Sequence, residues 1–186
     1  RLMTFIQQTA MQLNDPSLKR YPSFRFPATM PITVEKKHVQ LIRNNSYMFT
    51  PKADGVRMLV LFFMYYIDGD WRRMCVSLQR DGSSHLISLQ IPNDLCENGG
   101  SMFDAELVDL CSCRTCLLLF DCYAVCGANM RHLPLERRFA RCESLVREYV
   151  ARPTDTIRIL AKPYYQLTSE HSTDMDAFIF NRNHSD

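Results

Sequence analysis

The sequence predicts an α+β fold with antiparallel sheets and flanking helices. Three observations carry that expectation. Strand-like runs follow one another with only short turn signals between them, the pattern of hairpins rather than crossovers. Helical periodicity is confined to a few segments. With 186 residues, 46% apolar and 23% charged, the chain has enough apolar side chain for a real core.

The elements follow in order. Residues 4–13 (TFIQQTAMQL) have the spacing of a short amphipathic helix, ended by Asn14-Asp15-Pro16. Pro22, Pro27 and Pro31 hold Tyr21–Pro31 extended, because proline and the residue before it resist helix. Thr33 is placed to cap a helix over about 34–43, with Val39 and Ile42 inward. Met58–Ile67 and Arg73–Arg80 are strand runs around Asp68-Gly69-Asp70, and Asp81-Gly82 turns the chain into His85–Ile91. Residues 92–100, with Pro92, Gly99 and Gly100, are expected as loop, and Phe103–Leu110 with Thr115–Val125 as another strand pair. Leu135, Phe139, Cys142, Val146 and Tyr149 recur at helical spacing over Leu135–Val150. Ile157–Leu167 and Ala177–Phe180 are expected as further strands.

Composition narrows function only a little. A net charge of +2 is too small to announce a nucleic-acid partner, yet it leaves room for a basic groove. The longest apolar run, Met58–Tyr66, is strand-sized and short of a membrane span. Arg1 in place of an initiator methionine suggests a processed chain or a fragment. Eight cysteines in a chain with this much core are expected as reduced thiols of an intracellular protein. Cys111, Cys113 and Cys116 lack the second spaced pair that a structural zinc site needs, so they are expected in a hairpin connection.

The chemistry concentrates where apolar strands begin and end. In Lys52-Ala53-Asp54-Gly55-Val56-Arg57, strand alternation points Lys52 and Asp54 the same way. Gly55 permits close backbone approach. A partly desolvated lysine among cations can lose its proton and act as a nucleophile, and a nearby arginine suits phosphate oxygens. In Phe103-Asp104-Ala105-Glu106-Leu107-Val108-Asp109, alternation puts Asp104 and Glu106 on one face, a costly arrangement unless they meet a metal, a cation or a ribose. A lone Asp121 follows Phe120 in the strand "LLLFDCYAVCG", and "DMDAFIF" sets acids before an apolar run.

In this order the motifs resemble the covalent nucleotidyltransferase superfamily of capping guanylyltransferases and ATP- or NAD-dependent ligases. Lys52, Asp54, Gly55 and Arg57 match K-x-D-G-x-R; "FDAELVD" is similar to D-G-E-L-V, "LLLFDCYAVCG" to F-D-x-x-x-x-x-G and "MDAFIF" to D-G-L-I-F. The closest resemblance is to the mRNA capping guanylyltransferases. "FRFPATMPITV" resembles their F-P-G-x-Q-P-V segment, "LLLFDCYAVCG" their F-D-C-L-A-x-N-G, and "AKPYYQL" their K-P-F-F-D-L.

The resemblance implies a nucleotidyltransferase domain of the ligase and capping type, spanning 1–186 but C-terminally incomplete. No K-x-K strand follows Phe180 and no OB-fold domain is present. It implies Lys52 as the catalytic nucleophile, forming a lysyl-GMP from GTP and passing it to a 5′-diphosphate RNA. Asp54, Gly55, Arg57, Arg80, Glu106, Phe120 and Lys162 would bind nucleotide. Phe120 would stack on guanine and Lys162 reach its edge, while Glu106 and Asp176 would hold Mg²⁺ or Mn²⁺. RNA polymerase or other capping subunits would be partners, with no membrane, in the nucleus of a cell or the cytoplasm for a virus. Ala105 and Ala177 stand where the family has glycine, and Pro51 where it has an acid. The alternatives are an ATP-dependent ligase, sharing Lys52, Glu106 and Asp176, and a non-catalytic module that only holds RNA or a protein partner.

Overall fold

In the computed structural model the described residues are 2–17, 23–89, 91–92, 94–110, 114–149, 155 and 157–166. They fall in two compact units. The first comprises Arg1–Thr29 with Ala53–Lys162, the second Met30–Lys52 with Pro163–Asp186.

The first unit is built on a seven-stranded sheet. Its strands are β2 (Val56–Ile67), β3 (Asp70–Leu78), β4 (Ser84–Leu86), β5 (Ser101–Leu110), β6 (Arg114–Val125), β7 (Ala128–Asn129) and β8 (Ile157–Ala161), after β1 (Met48–Phe49) of the second unit. The order is β4-β3-β2-β5-β6-β7, with β8 also on β6. Asp68 and Gly69 both have positive φ, the two-residue turn that suits strand twist, so β2 and β3 zip fully to Ile67↔Asp70. The strand therefore begins before the expected Arg73. All pairings in this sheet are antiparallel except β6 with β8, which is parallel. The α+β fold with an antiparallel sheet is as expected, and the parallel pair is an addition to it. The helix α3 (Leu135–Glu148) lies between those strands in sequence and supplies the crossover that a parallel pair requires.

Helices cover the sheet where their apolar spacing dictates. In α1 (Leu2–Asn14), Ile6, Ala10 and Leu13 recur at i, i+4, i+7 and pack on Leu59, Leu61, Phe63, Met102 and Tyr123. Burying side chains of the Leu, Ile or Phe kind contributes about 1.5–3 kcal/mol each. In α3, Phe139, Cys142 and Leu145 are buried, and the helix packs on β6 and β8. Within the expected loop at 92–100, short 3-10 turns over Asp94–Gly99, broken by non-helical backbone at Glu97 and Asn98, bury Leu95 and Cys96. Gly100 follows, where a Cβ would stand 2.2 Å from the Phe62 carbonyl oxygen. Apolar Leu95 and Cys96 within a polar run explain why a short segment tucks in. Among the described residues the His85–Ile91 run is strand as Ser84–Leu86, with one more backbone bond from the Ile87 N–H to the Cys75 carbonyl, and Ile157–Leu167 divides into β8 and β9 (Tyr165–Gln166) around Pro163. Proline has no N–H to continue a ladder.

In the second unit β1 pairs antiparallel with β9, and Phe49 stacks on Tyr165 at 5.3 Å. The expected helix at 34–43 is a 3-10 turn, Lys36–His38, leading into α2 (Val39–Asn44). Thr33 does not cap it; the preceding Glu35 N–H is taken by His38 Nδ1 at 3.0 Å, which satisfies the turn locally. Ala177–Phe180, Cys111 and Cys113 lie outside the described residues. Among the described residues no helix is long and apolar enough to cross a membrane.

Candidate active site

The site-forming residues of the first unit gather where β2 begins beside the middle of β5 and β6. Arg57 pairs directly with Glu106 across β2 and β5, and Leu59 with Asp104, so Arg57, Asp104 and Glu106 share one face. The β5–β6 register slips twice: Met102↔Ala124 is followed by Phe103↔Cys122, and Asp104↔Asp121 by Ala105↔Leu119. Each slip inserts one extra β6 residue, first Tyr123 and then Phe120. Bulges of this kind re-aim side chains. They bring Phe120 and Tyr123, three apart in sequence, into the same polar cluster.

Two linked networks result. Arg57 grips Asp104 bidentately, Nε to Oδ1 at 3.0 Å and Nη2 to Oδ2 at 2.6 Å. Arg57 Nη2 also donates to the Thr29 carbonyl at 2.7 Å. The Tyr123 hydroxyl donates to Asp104 Oδ2 at 2.7 Å and accepts from the Thr29 N–H at 3.2 Å. Asp104 is fully buried, and its cost is offset by these donors. The hydrogen bond to Asp104 makes Arg57 hold its proton more tightly. Burial pushes the Asp104 carboxyl up while Arg57 and Tyr123 hold it back. Burial and the Asp104 charge push the Tyr123 hydroxyl up to about 12.

The second network centres on Glu106. Its Oε1 accepts the Gly55 N–H at 3.2 Å and its Oε2 the Lys162 ammonium at 3.0 Å. A Cβ on Gly55 would lie 2.3 Å from the Leu107 carbonyl oxygen and 2.9 Å from Glu106 Cγ, so only glycine allows this approach. Lys162 is positioned by its own N–H bonding to the Leu119 carbonyl, continuing the β8 register. The Phe120 ring joins the two networks: the Arg57 guanidinium carbon is 5.7 Å and Lys162 Nζ 5.6 Å from its centre. Both cations lie over the Phe120 ring, within cation–π reach of it.

Of the sequence-predicted residues, the structure therefore brings together Gly55, Arg57, Glu106, Phe120 and Lys162. Asp54 is exposed at the entry to β2. Arg80 is exposed in the Gln79–Gly82 turn, outside both networks. Lys52 is exposed and belongs to the second unit. Asp176 lies outside the described residues. Asp121, a lone acid in an apolar strand, serves a scaffold role: it accepts from Arg138 of α3 at 2.8 and 3.0 Å and from the Cys122 N–H at 2.7 Å. Thr29 and Tyr123 escaped the sequence reading. The one available signal was a phenol inside an apolar strand, which needs a partner when buried. Among the described residues no group of three or more His, Cys, Asp or Glu is placed to hold a metal ion.

The family model for the mRNA capping enzyme catalytic domain matches residues 4–182. By that match the chain belongs to the mRNA capping enzyme catalytic-domain family, the nucleotidyltransferases that transfer a guanylyl group from GTP to RNA ends with the help of a divalent metal ion.

Proposed function

We propose that this chain caps RNA through a covalent intermediate on Lys52. The neutral Lys52 amine attacks the α-phosphorus of GTP, a P–N bond forms, and pyrophosphate leaves with the electrons of the broken P–O bond. The terminal oxygen of a 5′-diphosphate RNA then attacks the same phosphorus. The P–N bond breaks, the amine recovers its proton, and the GpppN cap is released. The observation that carries this reading is the Phe120 platform, flanked by Arg57 and Lys162 and bordered by Glu106.

Each residue has a role that follows from its chemistry. Phe120 stacks the base, which favours a purine without choosing between purines. Lys162, a donor only, suits the acceptor edge of guanine, and it leaves Glu106 to do so. Arg57 supplies donors to ribose or phosphate, Arg80 and Asp54 complete the phosphate and sugar contacts, and Gly55 keeps the approach open. Glu106 and Asp176 would hold Mg²⁺ or Mn²⁺, since carboxylate oxygens suit a hard divalent ion. In the structure Glu106 Oε2 is held by Lys162, so a metal ion on that oxygen would take the place of the ammonium. The bound ion would neutralise α-phosphate charge and favour the unprotonated lysine. The reading implies GTP and 5′-diphosphate RNA as substrates, RNA polymerase or other capping subunits as partners, and work inside the cell, in the nucleus or in the cytoplasm for a virus.

The test is label transfer. The chain is incubated with α-labelled GTP or ATP and Mg²⁺ or Mn²⁺, then denatured. Label from GTP, lost in Lys52→Ala, is expected. Label from ATP alone would make the chain a ligase-type adenylyltransferase. Absence of label from both would overturn the catalytic reading.

A further inference from the structure

The ring of hydrogen bonds around Asp104 closes on itself. Thr29 N–H donates to the Tyr123 oxygen, Tyr123 donates to Asp104 Oδ2, Arg57 Nη2 donates to the same Oδ2, and Arg57 Nη2 also donates to the Thr29 carbonyl. One peptide unit, Thr29, is thus held at both its N–H and its C=O. One carboxylate joins the two side chains that hold it.

The donor count shows what the ring leaves available. A guanidinium has five N–H donors. Arg57 uses Nε–H and both Nη2 hydrogens on Asp104 and Thr29. The two hydrogens of Nη1 have no partner among the described residues, and the guanidinium lies beside the Phe120 face. A bidentate carboxylate removes the rotation that would otherwise let the guanidinium turn. The carboxylate is itself oriented by Tyr123, whose ring is packed in the α1 core and covered by Arg131 at 5.3 Å. Tyr123 occupies the position that is Leu in the F-D-C-L-A-x-N-G pattern, so its hydroxyl adds something the motif does not require.

We propose that Tyr123 is a positioning residue for guanylyl transfer: through Asp104 it aims Arg57 Nη1 at the nucleotide on Phe120, and through Thr29 it ties the upstream F-P-A-T segment to that arginine. The assignment rests on the proposed role of Arg57 in nucleotide binding. It requires that the hydroxyl, and not merely the ring, be needed. It also requires that the effect pass through Arg57.

The experiment compares the full chain with Tyr123→Phe, Arg57→Ala and the double variant. The GTP dependence of label transfer to Lys52 is measured alongside thermal unfolding. Tyr123→Phe is expected to raise the KM for GTP about five- to tenfold with a smaller change in kcat, as expected when a bond to a charged group is lost. In the Arg57→Ala background the same substitution is expected to change nothing further, because the group it positions is gone. A wild-type KM in Tyr123→Phe would overturn the proposal, and so would full additivity with Arg57→Ala. A second measurement does not depend on activity: exchange protection of the Arg57 Nε proton by nitrogen-15 NMR. Protection in the wild type, lost in Tyr123→Phe, is expected. An equally protected proton in both would overturn the clamp. If the wild-type chain takes no label but protection is lost as expected, the catalytic reading has failed and the clamp stands.

Discussion

Lys162 Nζ lies 3.0 Å from Glu106 Oε2, so the two residues assigned to the guanine edge and to the metal or ribose are bonded to each other. Both side chains are nearly buried, at 10% and 14% exposure, and the pair joins the residue just after β8 to β5 beside Phe120. On the roles proposed above, nucleotide binding would exchange partners at Glu106 rather than fill a preformed gap.

That exchange predicts an asymmetric cost. Lys162→Met leaves a nearly buried carboxylate without its cation and is expected to lower stability by about 1.5–3 kcal/mol. The double variant Lys162→Met/Glu106→Gln removes both charges and is expected to recover most of that loss. Urea unfolding of the four members of the cycle measures it; equal losses in single and double variants would refute the coupling.

Gly55→Ala tests the close approach of the Gly55 backbone to β5. The added Cβ would sit 2.3 Å from the Leu107 carbonyl oxygen and 2.6 Å from Val108 Cγ1. Backbone cannot yield as a flexible side chain does. Destabilisation of about 1–3 kcal/mol, the range for forced overpacking, is expected. Label transfer from GTP should fall with it, because the Gly55 N–H to Glu106 bond is displaced.

Asp121→Asn should loosen α3 from the sheet. The substitution removes the charge facing Arg138 and keeps a side chain of the same size. The expected cost is about 1–2 kcal/mol, discounted because Arg138 is partly solvated. Hydrogen exchange of α3 amides should quicken more than that of β2 amides. Uniform quickening would mean the pair acts on global stability alone.

The buried thiols predict an alkaline weakness. Burial, with the Asp121 charge adding to it, raises Cys122 from the ordinary value of 9.0 to about 12. Burial also raises Cys75 and Cys142. A thiol raised in the folded state binds its proton there more tightly than in the unfolded chain. Its stabilisation is complete below about pH 9 and is lost as pH rises toward about 12. The unfolding midpoint should therefore fall across that window, and Cys122→Ala should flatten the fall relative to wild type. The same burial predicts that partly exposed Cys126 is alkylated by iodoacetamide in the native state before Cys75, Cys122 and Cys142. Mass spectrometry of the labelled peptides decides the order.

By itself the sequence determined the elements whose signals are local. The Asp68-Gly69 turn, the Met58–Ile67 strand, the α1 and α3 helices and the membership of Lys52, Arg57, Glu106 and Phe120 in ordered motifs all follow from neighbours a few residues apart. Local signals fail where the decisive partner is distant. The parallel β6–β8 pairing depends on a strand some forty residues later, and the extra residues Phe120 and Tyr123 in β6 depend on the register against β5. Alternation alone placed Asp104 and Glu106 on one face. Only the tertiary structure divided them, giving Asp104 to Arg57, Tyr123 and the Thr29 peptide, and Glu106 to Lys162 and Gly55. The reason is desolvation: a buried carboxylate must find donors, and which donors reach it is set by packing from distant parts of the chain.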